Sequence, residues 1–195
     1  MRMLTYWVWP LLLLAPYYSL AQKAEYLDLI QEVAKNPSRE SALTLQESSW
    51  RLLAESPWAR GLRQTTKDTE DWLEIKLCFD LGPSDPWNWK WSLECGIRYS
   101  EYLEDRFNSD SYCLNRFYGE RAYNSGLGWQ LWEIRTARTM DIDAVNAVCG
   151  TRLYNGRKRS MRSCEENHGY TIKIDGYQPQ YSELGGRMCL NGEAR

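Results

Sequence analysis

QESSWRLLAESPWARGLRQTTKDT, residues 46–69, carries the chain out of one helical run, through a turn region and into the start of another. Upstream, Glu40 to Leu53 places Leu43, Leu45, Leu52 and Leu53 at spacings that suit a helix, and Ser38 stands where an N-cap is wanted. Ser56, Pro57 and Gly61 then break the run. Thr65 or Thr66 can cap a further helix over Lys67 to Leu77, with Asp68 and Glu70 near its positive end. Within this frame Glu47 falls four residues after Leu43 and close to Trp50, so it shares a face with apolar side chains. A carboxyl group that loses hydration resists ionisation, and its pKa rises towards the range a general acid needs. The alternative placement is at the helix boundary with the carboxylate in water.

Working outward, Ala24 to Ala34 carries Tyr26, Leu27, Leu29, Ile30 and Val33 at helical spacing. The residues before it read as a secretory leader, 1–21. Arg2 starts it, Val8 to Leu14 form a short apolar stretch interrupted by Pro10, and Ser19 and Ala21 suit a cleavage site before Gln22. The stretch is short of the about 20 apolar residues of a spanning helix, so no stable membrane anchor is expected after cleavage. Downstream, Gly82, Pro83 and Pro86 mark a loop, and helices are expected over Trp87 to Phe107 and Tyr112 to Tyr123. Asn124 to Gly128 makes a turn, followed by shorter helices over Trp129 to Arg138 and Ile142 to Val148. Beyond Cys149, Gly and Arg become frequent, and Tyr170 to Ile174 alternates as a strand does. The expected architecture is mainly α: a helical domain over 22–140 and an irregular, disulfide-linked extension over 141–195 that contains a short strand and packs on the same domain.

Composition narrows the chemistry. A net charge of −2 lacks the basic surface that phosphate binding requires, and the one basic cluster, Arg157, Lys158, Arg159 and Arg162, reads as a solvated loop. Nucleic acid is therefore not an expected partner. Six cysteines at wide spacing, Cys78, Cys95, Cys113, Cys149, Cys164 and Cys189, suit disulfides formed in an oxidising compartment rather than a zinc site. Among the fifteen possible pairings, Cys149 with Cys164 is favoured by the short loop between them. The single histidine, His168, disfavours Ser–His–Asp and Cys–His catalysis, which leaves carboxylates as the acid/base groups. No metal or cofactor is called for.

Three blocks, in order, resemble the lytic transglycosylases of the SLT-type, goose-type-lysozyme-like fold. The first is the stretch quoted above: in that family a helix ending in Glu-Ser precedes a Gly-Leu-Met-Gln turn and a Thr-containing helix start. Glu47, Ser48, Gly61, Leu62, Gln64 and Thr69 match, with a spacer one residue shorter. The second, SLECGIRYSEYLEDRF (Ser92 to Phe107), is similar to a Gly-x-x-Tyr-Leu-x-x-Leu helix through Gly96, Tyr99 and Leu103. The third, RAYNSGLGW (Arg121 to Trp129), resembles an Ala-Tyr-Asn-x-Gly motif through Ala122, Tyr123, Asn124 and Gly126. Together they span roughly Leu45 to Trp129; the chain from about Asp141 falls outside them. Glu55 also begins a Glu-Ser pair, but it stands only six residues before Gly61, too close for the family's spacer.

The resemblance implies that Glu47 protonates the bridge between N-acetylmuramic acid and N-acetylglucosamine and then takes the proton of the muramic C6 hydroxyl, closing a 1,6-anhydro ring. It implies that Tyr123 approaches the catalytic carboxyl and that Ser56 and Gln64 line the cleft, while Asn124 either touches substrate or holds its turn. The partner is then the glycan strand of peptidoglycan, and the location periplasmic or secreted; an envelope-spanning secretion system, conjugation, a phage or wall turnover are all compatible settings. The sequence departs from the pattern at Arg63, where Met is usual, at Ser92 for Asn and at Ser100 for Leu. Arg63 is expected either at the cleft wall, against the lactyl carboxylate or peptide stem, or in solvent. Among ten tryptophans, Trp58 and Trp129 adjoin the matched motifs and are the expected sugar contacts. Two other readings stay open: a hydrolytic muramidase, for which Asp68 or Asp71 would hold water, and a non-catalytic glycan-binding or envelope-assembly protein.

Overall fold

The computed structural model describes the backbone of residues 9–151 and 153–189 and the side chains from residue 20 onward. The first eight residues of the expected leader lie outside the described residues. Eight α-helices and two short 3-10 turns are present among those described, with isolated bridges but no extended sheet. The mainly helical, disulfide-linked character is as expected. None of the described helices is long and apolar enough to cross a membrane.

Helix α1 spans Trp9–Val33 and contributes Tyr26 and Ile30 to a core shared with Leu62, Leu93 and Ile97. Helix α2 runs Pro37–Ser48, earlier at both ends than the spacing predicts. Its cap is Asn36, whose side chain accepts from the Arg39 N–H, and Pro37 fills the first helical position, where a missing N–H is harmless. It ends because Ser49 and Trp50 take left-handed conformations (φ 53° and 64°), turning the chain so that the Trp50 indole donates to the Tyr181 hydroxyl at 2.9 Å. Helix α3, Lys67–Lys76, is capped by Thr66, and α4, Trp89–Glu104, by Asn88. Helices α5 (Tyr112–Ser125), α6 (Leu127–Ala137) and α7 (Ile142–Val148) follow, packing around Leu103, Tyr118, Ala122 and Val145.

The strand expected over Tyr170 to Ile174 is instead the middle of α8, Met161–Tyr177. Five residues of apparent alternation are overruled by a longer stripe: Cys164, Asn167, Tyr170, Thr171 and Ile174 recur every three or four residues and are all buried. The extension is thus helical through most of its described length. Tyr170 and Ile174 join Ala42, Leu43 and Tyr181 in one core cluster, so α8 lies directly on α2. Three disulfides fasten the periphery: Cys78–Cys95 links the end of α3 to α4, Cys113–Cys189 links α5 to the C-terminal segment, and Cys149–Cys164 links α7 to α8. The last is the pairing expected from the sequence.

Helix α2 sits at the centre, buried from Pro37 to Thr44 although that segment includes Arg39 and Glu40. Buried charge is tolerated only when paired and hydrogen-bonded. Arg39 bonds Glu120 at 2.9 Å, Glu40 at 3.0 Å and Glu104 at 3.1 Å. Glu40 in turn accepts from Arg63 Nη2 at 2.8 Å and lies 2.9 Å from the Ser100 hydroxyl. These contacts hold the N-terminal end of the helix, and the Trp50–Tyr181 bond just beyond Ser48 holds the other.

Candidate active site

Glu47 occupies the last turn of α2, one residue before its end, and is partly buried. Three elements surround it. Helix α8 supplies Tyr170, whose hydroxyl donates to Glu47 Oε1. The turn after Gly61 supplies Arg63, and α5 supplies Tyr123, which Glu47 and Arg63 both influence electrostatically. Burial pushes the Glu47 carboxyl up to about 7; the Tyr170 hydrogen bond and the Arg63 charge act in the opposite direction without cancelling it. The same burial, with the Glu47 charge added, holds the Tyr170 phenol well above its ordinary range, so Tyr170 remains a donor.

Tyr123 is fixed from several sides. Its hydroxyl donates to the Arg63 carbonyl at 2.7 Å, its ring lies 5.4 Å from that of Tyr99, and the Arg63 guanidinium sits 5.4 Å from its centroid. Its phenol is pushed upward, chiefly by burial. Tyr123 and Gln64 line a hollow of about 310 Å³ together with Thr65, Thr69, Tyr99 and Asn124. Gln64 holds a left-handed conformation (φ 46°), and its carboxamide donates to the Ala54 and Gly61 carbonyls at 2.9 Å. It therefore shapes the wall by tying the turn, and its side-chain nitrogen is already occupied. Tyr123, Gln64 and Asn124, expected together from separate motifs, do share one wall.

The remaining expected residues are placed as follows. Ser56 is exposed, and its hydroxyl receives the Ala59 N–H at 3.0 Å, closing the turn that carries Trp58. Trp58 is 82% exposed. Asn124 is exposed, and its carboxamide oxygen accepts from Asn167 of α8 at 3.2 Å. Trp129 is half-buried against Tyr154 (4.9 Å) and Trp132 (5.9 Å). The competing Glu55 is exposed on the loop. Asp68 is exposed as well, and Asp71 pairs with Lys67 on the outer face of α3.

Arg63 is in neither of its expected places. Its side chain is fully buried, facing neither solvent nor the cleft; it bonds Glu40, Thr44 Oγ1 (3.2 Å) and the Gly96 carbonyl (3.1 Å). A Cβ at position 96 would collide with the Arg63 stem, so Gly96 is what allows the arginine to pass α4. Two departures from the family pattern thereby explain each other: Arg63 brings a buried charge, Glu40 neutralises it, and Ser100 supplies a hydroxyl to the same carboxylate. The arrangement is an internal ion-pair cluster one layer behind Glu47.

Tyr170 is not among the residues the motifs point to, because the alternation over Tyr170 to Ile174 suggests a strand and lies outside the matched blocks. The three-to-four-residue stripe from Cys164 to Ile174 is the signal that identifies the helix and the face on which Tyr170 lies. No family model matches the chain, and no curated protein matches it.

Proposed function

We propose that this chain is a lytic transglycosylase with a lysozyme-like helical domain, exported to the periplasm or beyond, that cuts the glycan strands of peptidoglycan. The observation carrying the proposal is the Glu47 carboxyl: partly shielded, pushed up to about 7, held by Tyr170, and within electrostatic reach of Tyr123, which lines a groove with Gln64. A free glutamic acid, with a pKa of about 4.3, is protonated in roughly one molecule in 500 at neutral pH, whereas this one is protonated about half the time. That is the condition for a group that must first give a proton and then take one.

In the reaction, Glu47 donates its proton to the glycosidic oxygen as the bond from muramic C1 breaks. The muramic acetamido group stabilises the positive charge at C1. Glu47, now ionised, removes the proton of the C6 hydroxyl, O6 bonds C1, and the 1,6-anhydro ring closes with the carboxyl reprotonated. No water enters, and the nucleophile is already tethered to the electrophile, which supplies a high effective concentration. The exposed positions of Asp68 and Asp71 favour a single-carboxylate scheme over one in which a second carboxylate holds water.

Mass spectrometry of digested sacculi tests this reading. The parent should release muropeptides with anhydro ends, and Glu47→Gln should fold but release none. Reducing muramic ends would make the protein a hydrolase. Unimpaired digestion by Glu47→Gln would remove Glu47 from the chemistry altogether.

A further inference from the structure

A second hollow, also of about 310 Å³, adjoins the first across Asn124 and Ser125 at the end of α5, which line both. Its other walls are Trp129 of α6 and three residues of the extension, Arg159, Ser163 and Glu166. Arg159 is the distinctive member. Its side chain is 8% exposed, and its one hydrogen bond among the described residues runs from Nη1 to Glu133 at 2.9 Å. The Nε and Nη2 donors are thus free on a buried guanidinium that borders open space. The guanidinium sits over the Trp129 ring, Cζ lying 5.6 Å from its centroid, and is tethered by Glu133, so its position is set before any ligand arrives.

The charges nearby leave a positive excess. Buried Arg121 and Arg159 face a single buried carboxylate, Glu133, whose Oε2 is itself unpartnered. Both arginines act electrostatically on His168, and burial first, then these two charges, hold that imidazole down at about 4, so it is neutral and adds no charge. Glu166, at the rim, is 61% exposed and paired with Arg162. The hollow also meets the first turn of α8 through Ser163, where the helix dipole is positive. A planar guanidinium with free edge donors is the side chain best matched to a carboxylate.

We infer that this hollow is a carboxylate-binding subsite that receives the peptide stem of the wall strand lying in the adjoining groove, with Arg159 as the recognition residue. The inference rests on the proposed glycan-strand function for its choice of carboxylate, and it gives the extension a role in substrate choice.

Two measurements test it. In the first, a soluble stem tetrapeptide is titrated calorimetrically into the Glu47→Gln protein, which binds without turnover. The tetrapeptide should bind, its C-terminal amide at least tenfold more weakly. Because Arg159→Gln strands the buried Glu133, the second variant is Ser163→Asp. It keeps the ion pair, suits the helix start, and puts a competing carboxylate into the hollow. Either substitution should abolish stem binding. In the second measurement, kcat/KM on stem-bearing strands should fall about tenfold in Ser163→Asp and stay unchanged on strands stripped of peptide. Equal losses on both substrates, or no loss on either, would overturn the subsite. A loss confined to stripped strands would assign Arg159 to the lactyl carboxylate and overturn the stem assignment. If the parent cleaves no strand but binds the tetrapeptide through Arg159, the subsite stands and the lytic reading fails; absence of stem binding sinks the subsite whatever the lytic activity.

Discussion

Tyr170→Phe isolates the contact that the extension makes with the candidate acid. The substitution removes one hydroxyl and leaves the aromatic volume against Ala42 and Leu43 in place. The Tyr170 hydrogen bond stabilises the ionised form of Glu47 and so works against the burial that raises its pKa. A hydrogen bond to a charged group is worth about 1.5–3 kcal/mol, and 1.36 kcal/mol corresponds to one pH unit, so its loss moves the Glu47 titration up by about one to two units. The protonated carboxyl starts the reaction, hence kcat/KM falls as pH rises through the Glu47 pKa. The parent's alkaline limb should be centred at about 7 and that of Tyr170→Phe clearly above it. The plateau below the limb should drop as the carboxyl loses its orientation, but the midpoint is independent of plateau height. The assay is sacculus solubilisation across the pH range, at fixed ionic strength. A midpoint that stays put, or moves down, refutes the assignment of Tyr170 as the group restraining Glu47.

Glu47 also links stability to pH. Its pKa is raised on folding from 4.5 to about 7, so the folded state loses stability as pH rises across that window and levels off above it, by about 3 kcal/mol in all. Glu47→Gln should therefore melt higher than the parent above neutrality and about equally in acid; a difference independent of pH contradicts the burial. Arg63→Met should cost about 1.5–3 kcal/mol by urea unfolding, since it removes one charged partner of Glu40, which keeps Arg39 and Ser100, and Glu40→Gln should then cost less in that background than in the parent. Strict additivity of the two changes would mean they do not interact. Replacing Cys149 and Cys164 by Ser opens a 15-residue closure and should cost about 3 kcal/mol, read by thermal melting, with a non-reducing peptide map confirming the parent pairing.

Local rules carried much of the fold. Thr66 caps its helix because capping chemistry acts within a few residues, and α3, α5 and α7 lie close to where spacing places them, whereas α2 ends at Ser49 and Trp50, well before the expected breakers Ser56, Pro57 and Gly61. That Glu47 shares a helix face with Leu43 was equally legible, since apolar periodicity reports which face a carboxyl shares, and Tyr170 meets both. Where tertiary packing outweighed local pattern, the reading failed. The alternation at Tyr170 to Ile174 is a short stretch of a helix whose burial against α2 covers a stripe at a different period.

The fate of the charged residues belongs to the tertiary structure alone. In sequence Arg63 is one cation among 24 basic residues, and nothing local separates a solvated arginine from one locked between Glu40, Thr44 and the Gly96 carbonyl. Its partner lies 23 residues away and its passage depends on a glycine 33 residues away, contacts that exist only once α2 and α4 have packed. The same holds for Tyr170 and Glu47, separated by 123 residues. The chain's pattern determined that a carboxyl would sit on a half-apolar helix face; only the packed molecule decided that a distant phenol meets it and a buried guanidinium lies behind it, because ionisation responds to distance in space.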